Sequence, residues 1–151
     1  MEVEHVINRK IYWGRPALPA GKEYAKMIEL AAKWQWILPS WVHEIILFYE
    51  ENQDCYISCV CKRDYLRFDL SIGDAFFVAD KDQQDKSMIH EFCHPYTTPD
   101  IVLFQKFLKI KLSEDDFKVA GNMLLHSAEN ATESLAKLLF NAFAKDIPEN
   151  T

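Results

Sequence analysis

The stretch Met88-Ile89-His90-Glu91-Phe92-Cys93-His94 carries residue types that could do chemistry together. Its pattern is HExxH. On a helix, residues four apart lie on one face, about one turn from each other. His90 and His94 can therefore present two imidazoles to one metal ion. Glu91 is displaced sideways, where its carboxylate can reach a water on that metal. This is the two-histidine zinc site with a glutamate as general base. The chain holds five histidines in 151 residues, so chance rarely gives this spacing. The bland alternative is a surface helix that happens to carry these side chains.

The flanks favour a buried helix. Met88, Ile89, Phe92 and Cys93 fill the rest of the turn and would press it into a core. The polar run Asp80-Lys81-Asp82-Gln83-Gln84-Asp85-Lys86 suits a loop and first helical turn, with Asp80 or Asp82 as cap. Pro95 disfavours helical geometry at the residue before it, so the helix is expected to end or kink at His94.

A catalytic zinc takes three protein ligands and keeps one open position. Two carboxylates compete for the third place. Asp100 lies six residues past His94, where one class of metalloproteases sets its last ligand. Glu129 is preferred. It lies mid-helix among core positions, where a carboxylate is costly unless it meets a cation. Glu133, one turn on, could accept a hydrogen bond from a ligand imidazole and fix its tautomer. The alternative is that Glu129 and Glu133 face solvent opposite the apolar stripe.

The surrounding elements must position these groups. Residues 1–20 read as irregular, with Tyr12-Trp13 packing on the domain. A first helix is expected from about Lys22 to Ile37, ended by Pro39. Trp34-Gln35-Trp36 reads as core. Three strands follow, over Glu44 to Tyr49, Cys55 to Cys61 and Leu66 to Ile72. Ala75-Phe76-Phe77-Val78 reads as a short fourth strand. The short turns imply a mainly antiparallel sheet. After the histidine helix come a helix over Ile101 to Ile110 and a long one from Ser113 to about Ala144. The apolar stripe of the long helix runs through Phe117, Ala120, Leu124, Ala128, Ala131, Leu135, Leu138 or Leu139 and Ala142. The expected architecture is a single α+β domain over residues 1–151, with a frayed tail at 146–151.

Composition bounds the rest. With 49% hydrophobic and 13% aromatic residues, the chain can bury a core without staples. A net charge of −6, without a basic cluster of the kind nucleic acids require, argues against a nucleic-acid partner. No stretch reaches the ~18 apolar residues of a membrane span. The start, Met1-Glu2-Val3-Glu4-His5, lacks the apolar core of a signal peptide. A cytoplasmic protein with no membrane partner is expected. In a reducing compartment Cys55, Cys59, Cys61 and Cys93 read as small buried apolar residues.

HExxH on one helix, with Glu129 on a later helix and Glu133 one turn beyond, resembles the gluzincin metallopeptidases. Small size and a preceding sheet resemble their single-domain, minigluzincin-like members. The resemblance spans roughly residues 40 to 144, and its specific part is His90, Glu91 and His94. It implies a zincin-like fold, bound Zn2+ and hydrolysis of a peptide or protein substrate. Glu91 would take a proton from the zinc-activated water and deliver it to the leaving amine. A second electrophile usually helps hold the oxyanion. The candidates are His126 and Tyr96, and for each the plainer reading is a partly buried side chain with a local hydrogen bond. His5 and His43 lack any partner pattern. The strand expected at Ala75, Phe76 and Phe77 could bind substrate backbone as an added strand. The competing expectation is a binding or regulatory module that keeps the zincin fold, and the metal with it, but cuts nothing.

Overall fold

The computed structural model describes residues 8–14, 22–51, 54–98 and 101–143. Strand β1 (Lys10–Trp13) leads to helix α1 (Lys22–Trp34), which tightens into a 3-10 turn over Gln35–Ile37. Strands β2 (Glu44–Glu50), β3 (Ile57–Lys62) and β4 (Arg67–Gly73) follow, then the short helix α2 (Asp74–Val78). Helices α3 (Lys81–Thr97), α4 (Ile101–Lys111) and α5 (Glu114–Phe143) complete the described chain. The class is α+β. His5, Asp100 and the tail at 146–151 lie outside the described residues.

The sheet corrects two expectations. Its order is β1-β2-β4-β3. β1 pairs with β2, and β2 with β4, both in parallel; β3 and β4 alone form an antiparallel pair. The sheet is therefore mixed, not mainly antiparallel. The physical signal was present in β2, whose run Glu44-Ile45-Ile46-Leu47-Phe48-Tyr49 is continuous rather than alternating. Continuous runs mark strands covered on both faces, as parallel strands are. β1 is the second correction, because it makes a strand of part of the segment expected to be irregular. Lys10-Ile11-Tyr12-Trp13 is β-branched and aromatic enough to extend along β2. Trp13 Nε1 then donates to the Tyr24 carbonyl at 3.0 Å and ties the edge strand to α1.

Ala75, Phe76 and Phe77 belong to helix α2, not to a strand. β4 ends at Gly73, and the chain must turn at once onto α3. Phe76 is fully buried while Val78 is 86% exposed. Gln84 Nε2 donates to the Phe76 carbonyl at 2.9 Å and fastens the turn to α3.

The core gathers Trp34, Ile45, Leu47, Phe68, Leu70, Ile72, Phe76, Met88, Ile89 and Phe92, all fully buried. Each large apolar side chain contributes roughly 1.5–3 kcal/mol on burial. α3 is the hub, packing against β3, α1 and α5. Asp80 caps it, accepting from Gln83 N at 2.8 Å. The polar run after Asp80 is thus helical, and one member is not a surface residue. Asp85 is buried and accepts from Trp34 Nε1 at 2.7 Å and from Lys33 Nζ at 3.0 Å.

The helix does not stop at His94 but carries Pro95 inside it, to Thr97. Its last turn is held from three sides. The Tyr96 hydroxyl donates to the Ile37 carbonyl. The Thr97 and Thr132 hydroxyls bond across to α5. Thr98 caps the His94 carbonyl through both its backbone N (2.9 Å) and its hydroxyl (2.7 Å). These contacts outweigh the local preference against helix before proline.

On α5 the buried line runs through Gly121, Ala128, Thr132 and Ala136. It is rotated slightly from the expected stripe, leaving Ala131, Leu138 and Ala142 exposed.

Candidate metal centre

α3 and α5 together build the site. His90 and His94 project from one face of α3, their ring centroids 5.0 Å apart and their planes at 80°. Glu129 comes from α5. One of its oxygens lies 3.3 Å from His90 Nε2 and the other 3.6 Å from His94 Nε2. Donor atoms of these three residues all fall within 4.8 Å of one another. Glu133, one turn along α5, meets His90 Nδ1 at 3.0 Å. That contact sets the tautomer with the proton on Nδ1, leaving the Nε2 lone pair turned toward Glu129 and His94. Burial holds the His94 imidazole below its ordinary pKa, against the opposing pull of Glu129. A neutral ring is the form that can ligate a metal.

Glu91 lies deeper than the other groups, 7% exposed. One of its oxygens is 3.7 Å from His94 Nε2. Burial pushes its carboxyl up to about 7; the neighbouring Cys59 thiol and His90 act in the opposite direction, and Glu129 adds to the rise. The donor set is two imidazoles and one carboxylate, borderline and hard ligands in the number a catalytic zinc uses, with the His90 tautomer already fixed. These residues fit a zinc ion.

Two cavities flank the cluster, and His90 and Glu91 border both. One, of about 550 Å³, runs between the N-terminal half of α3 and the C-terminal half of α5, past Lys86, Ala136 and Phe140. The other, of about 690 Å³, follows β3 along Ser58, Cys59, Val60 and Cys61 to Gln105 on α4. β3 is an edge strand of the sheet. A trough along an edge strand, passing over the candidate metal ligands, can receive an extended chain.

Not every expected residue arrives. His126 is exposed on α5 and lines neither cavity. The groove side of that turn is taken by Leu125, Ala128 and Glu129. Tyr96 lies two residues past His94, more than half a turn round the helix. Its hydroxyl is spent on the Ile37 carbonyl, on the α1 side. Neither residue is placed to stabilise an oxyanion. Ala75, Phe76 and Phe77 offer no strand edge, being helical; β3 holds that position. His43 is exposed at the foot of β2.

The cysteines also divide differently. Cys93 is buried and Cys59 half-buried, but Cys55 and Cys61 are exposed. Cys59 was overlooked as a site residue. Its sulfur, a Glu91 oxygen and a His94 nitrogen form a second set of donors within 4.8 Å of one another. Its place on the same face of β3 as Ile57 was readable; that this face meets the histidine helix was not.

Comparison with protein-family models, with curated proteins and with solved structures finds no match.

Proposed function

We propose that the chain is a small zinc-dependent peptidase of the gluzincin type, resembling the single-domain members. The observation that carries this reading is the convergence of His90 Nε2, His94 Nε2 and the Glu129 carboxylate beside a buried Glu91. His90, His94 and Glu129 would hold the zinc, which when bound supplies a Lewis acid and lowers the pKa of its water. Glu91 accepts a proton from the attacking water and returns it to the departing amine. Burial raises the Glu91 pKa in the metal-free chain, and a cation bound beside it would bring it back down, toward that of a base at neutral pH. Glu133 keeps His90 in the ligating tautomer. β3 aligns the substrate backbone as an added strand, the role first expected of Ala75, Phe76 and Phe77.

The test is hydrolysis of a quenched fluorescent peptide library by zinc-loaded protein, with Glu91→Gln beside it. Cleavage by the native chain, abolished in Glu91→Gln with zinc content unchanged, supports the reading. Cleavage that persists in Glu91→Gln contradicts it.

One observation favours the non-catalytic module. Cys59, Glu91 and His94 could themselves hold a metal, and that arrangement would consume the base. Cobalt substitution separates the two. A thiolate-to-cobalt charge-transfer band that Cys59→Ser removes would place sulfur on the metal and favour the module.

A further inference from the structure

Helix α4, Ile101–Lys111, carries three lysines and no acidic residue, in a chain whose net charge is −6. Phe104, Phe107 and Ile110 recur at three-residue steps and so line one stripe. They are 49%, 53% and 79% exposed. The two phenylalanine rings stack, with centroids 6.2 Å apart and planes at 15°. On its inner side α4 rests against α5. Gln105 borders the larger cavity and Leu108 is half-buried. The aromatic stripe thus forms the outer ridge of the α4–α5 hairpin, with the exposed Lys111 beside it, Lys106 on its flank and Lys109 turned away from it.

We propose that α4 docks this protein on an anionic lipid surface. Phe104, Phe107 and Ile110 enter the headgroup boundary, and Lys106 and Lys111 meet acidic headgroups. Lys111 lies closest to the stripe, and its stem is long enough to carry the ammonium back to the headgroups. Charge selects this occupant. A second copy seated on the same stripe would bring lysines against lysines. The acids Glu114, Asp115 and Asp116 open α5 just past the stripe. Glu114 pairs with Lys118 at 3.3 Å, and Asp116 accepts from the Ser113 hydroxyl at 2.8 Å. They bound the attractive patch at its C-terminal end. No described helix is long and apolar enough to cross a membrane, but a helix lying in the interface needs only an apolar stripe. The expectation of no membrane partner rested on spanning segments alone.

The test is co-sedimentation of the full-length protein with phosphatidylcholine vesicles, plain or containing about one third phosphatidylglycerol. The expected result is association with the anionic vesicles alone, weakened by added salt. Each of Lys106→Gln and Lys111→Gln weakens it about fivefold. Phe104→Ser/Phe107→Ser abolishes it with the melting temperature unchanged. Three results would overturn the proposal: no association with anionic vesicles, equal association with neutral ones, or variants that bind like the native chain. A concentration-dependent dimer in sedimentation velocity, lost in Phe104→Ser/Phe107→Ser, would overturn it in favour of a second copy. An acidic protein partner would leave vesicle binding absent.

Discussion

The Cys59 sulfur lies 3.7 Å from the backbone carbonyl oxygen of Glu91, with the thiol as donor. The partner is not arbitrary. In an α-helix the carbonyl of Glu91 accepts from the N–H four residues on. That residue is Pro95, which has no N–H to give. β3 supplies the missing donor across the helix, at the residue whose side chain is the candidate base.

Removing that donor leaves a buried carbonyl unsatisfied. Cys59→Ala is expected to destabilise the fold by roughly 1–2 kcal/mol. In a Pro95→Ala background the new N–H serves the same carbonyl, and the cost of Cys59→Ala should shrink. Urea denaturation of the four proteins in this double-mutant cycle reads the coupling. Equal costs of Cys59→Ala in both backgrounds would disprove the link.

Glu133 touches His90 on the nitrogen that does not face the other ligands. Glu133→Ala should therefore weaken zinc binding about 10–100-fold without removing a ligand. Competition with a chelating indicator measures it. Glu133→Gln keeps an acceptor and should fall between the two.

Burial raises the Glu91 carboxyl to about 7, so the folded metal-free protein holds this proton more tightly than the unfolded chain does. The resulting stabilisation is full below the unfolded value near 4.5 and is lost as pH rises through about 7. Above that, the metal-free protein buries a charge. Glu91→Gln should then stabilise the metal-free chain by up to roughly 3 kcal/mol at pH 8, and by little at pH 4.5. Denaturation in chelator at the two pH values checks this. A bound cation beside Glu91 lowers its pKa again, so zinc should narrow the difference.

Asp85 joins α3 to α1 through Trp34 Nε1 and Lys33 Nζ. Asp85→Ala strands a buried indole N–H and an ammonium, and should cost about 3 kcal/mol. Asp85→Asn keeps an acceptor for Trp34 and should cost less. Thermal melts distinguish the two variants.

The histidine helix was legible because four-residue spacing is set by helix geometry, whatever surrounds it. Glu129 was singled out as a carboxylate among α5 core positions, yet its side chain is 56% exposed; it reaches the histidines because α5 lies against α3, which no residue pattern reveals, and Asp100 lies outside the described residues. Three of the four strands could be read from apolar runs, but not β1, and not how the strands pair. β4 lies between β2 and β3, and short turns favour the antiparallel neighbour that β2 does not take. Ala75-Phe76-Phe77-Val78 has strand-like residues, but the turn onto α3 decides its backbone. Pro95 signalled a helix end locally, and only the anchors at Ile37, Thr132 and Thr98 reverse that. Cys59 had a face but no visible partner, since β3's neighbour is a matter of topology. The unpaired carbonyl four residues before Pro95 was the one clue that a donor must come from elsewhere.

The central claim is that His90, His94 and Glu129 hold one zinc ion. Elemental analysis of protein purified without chelator or metal-affinity resin tests it most directly, with Glu129→Ala beside the native chain. About one zinc per native chain, and a marked loss in Glu129→Ala with the fold intact, is the predicted result. Zinc fully retained in Glu129→Ala, or none in the native protein after reconstitution, would contradict it.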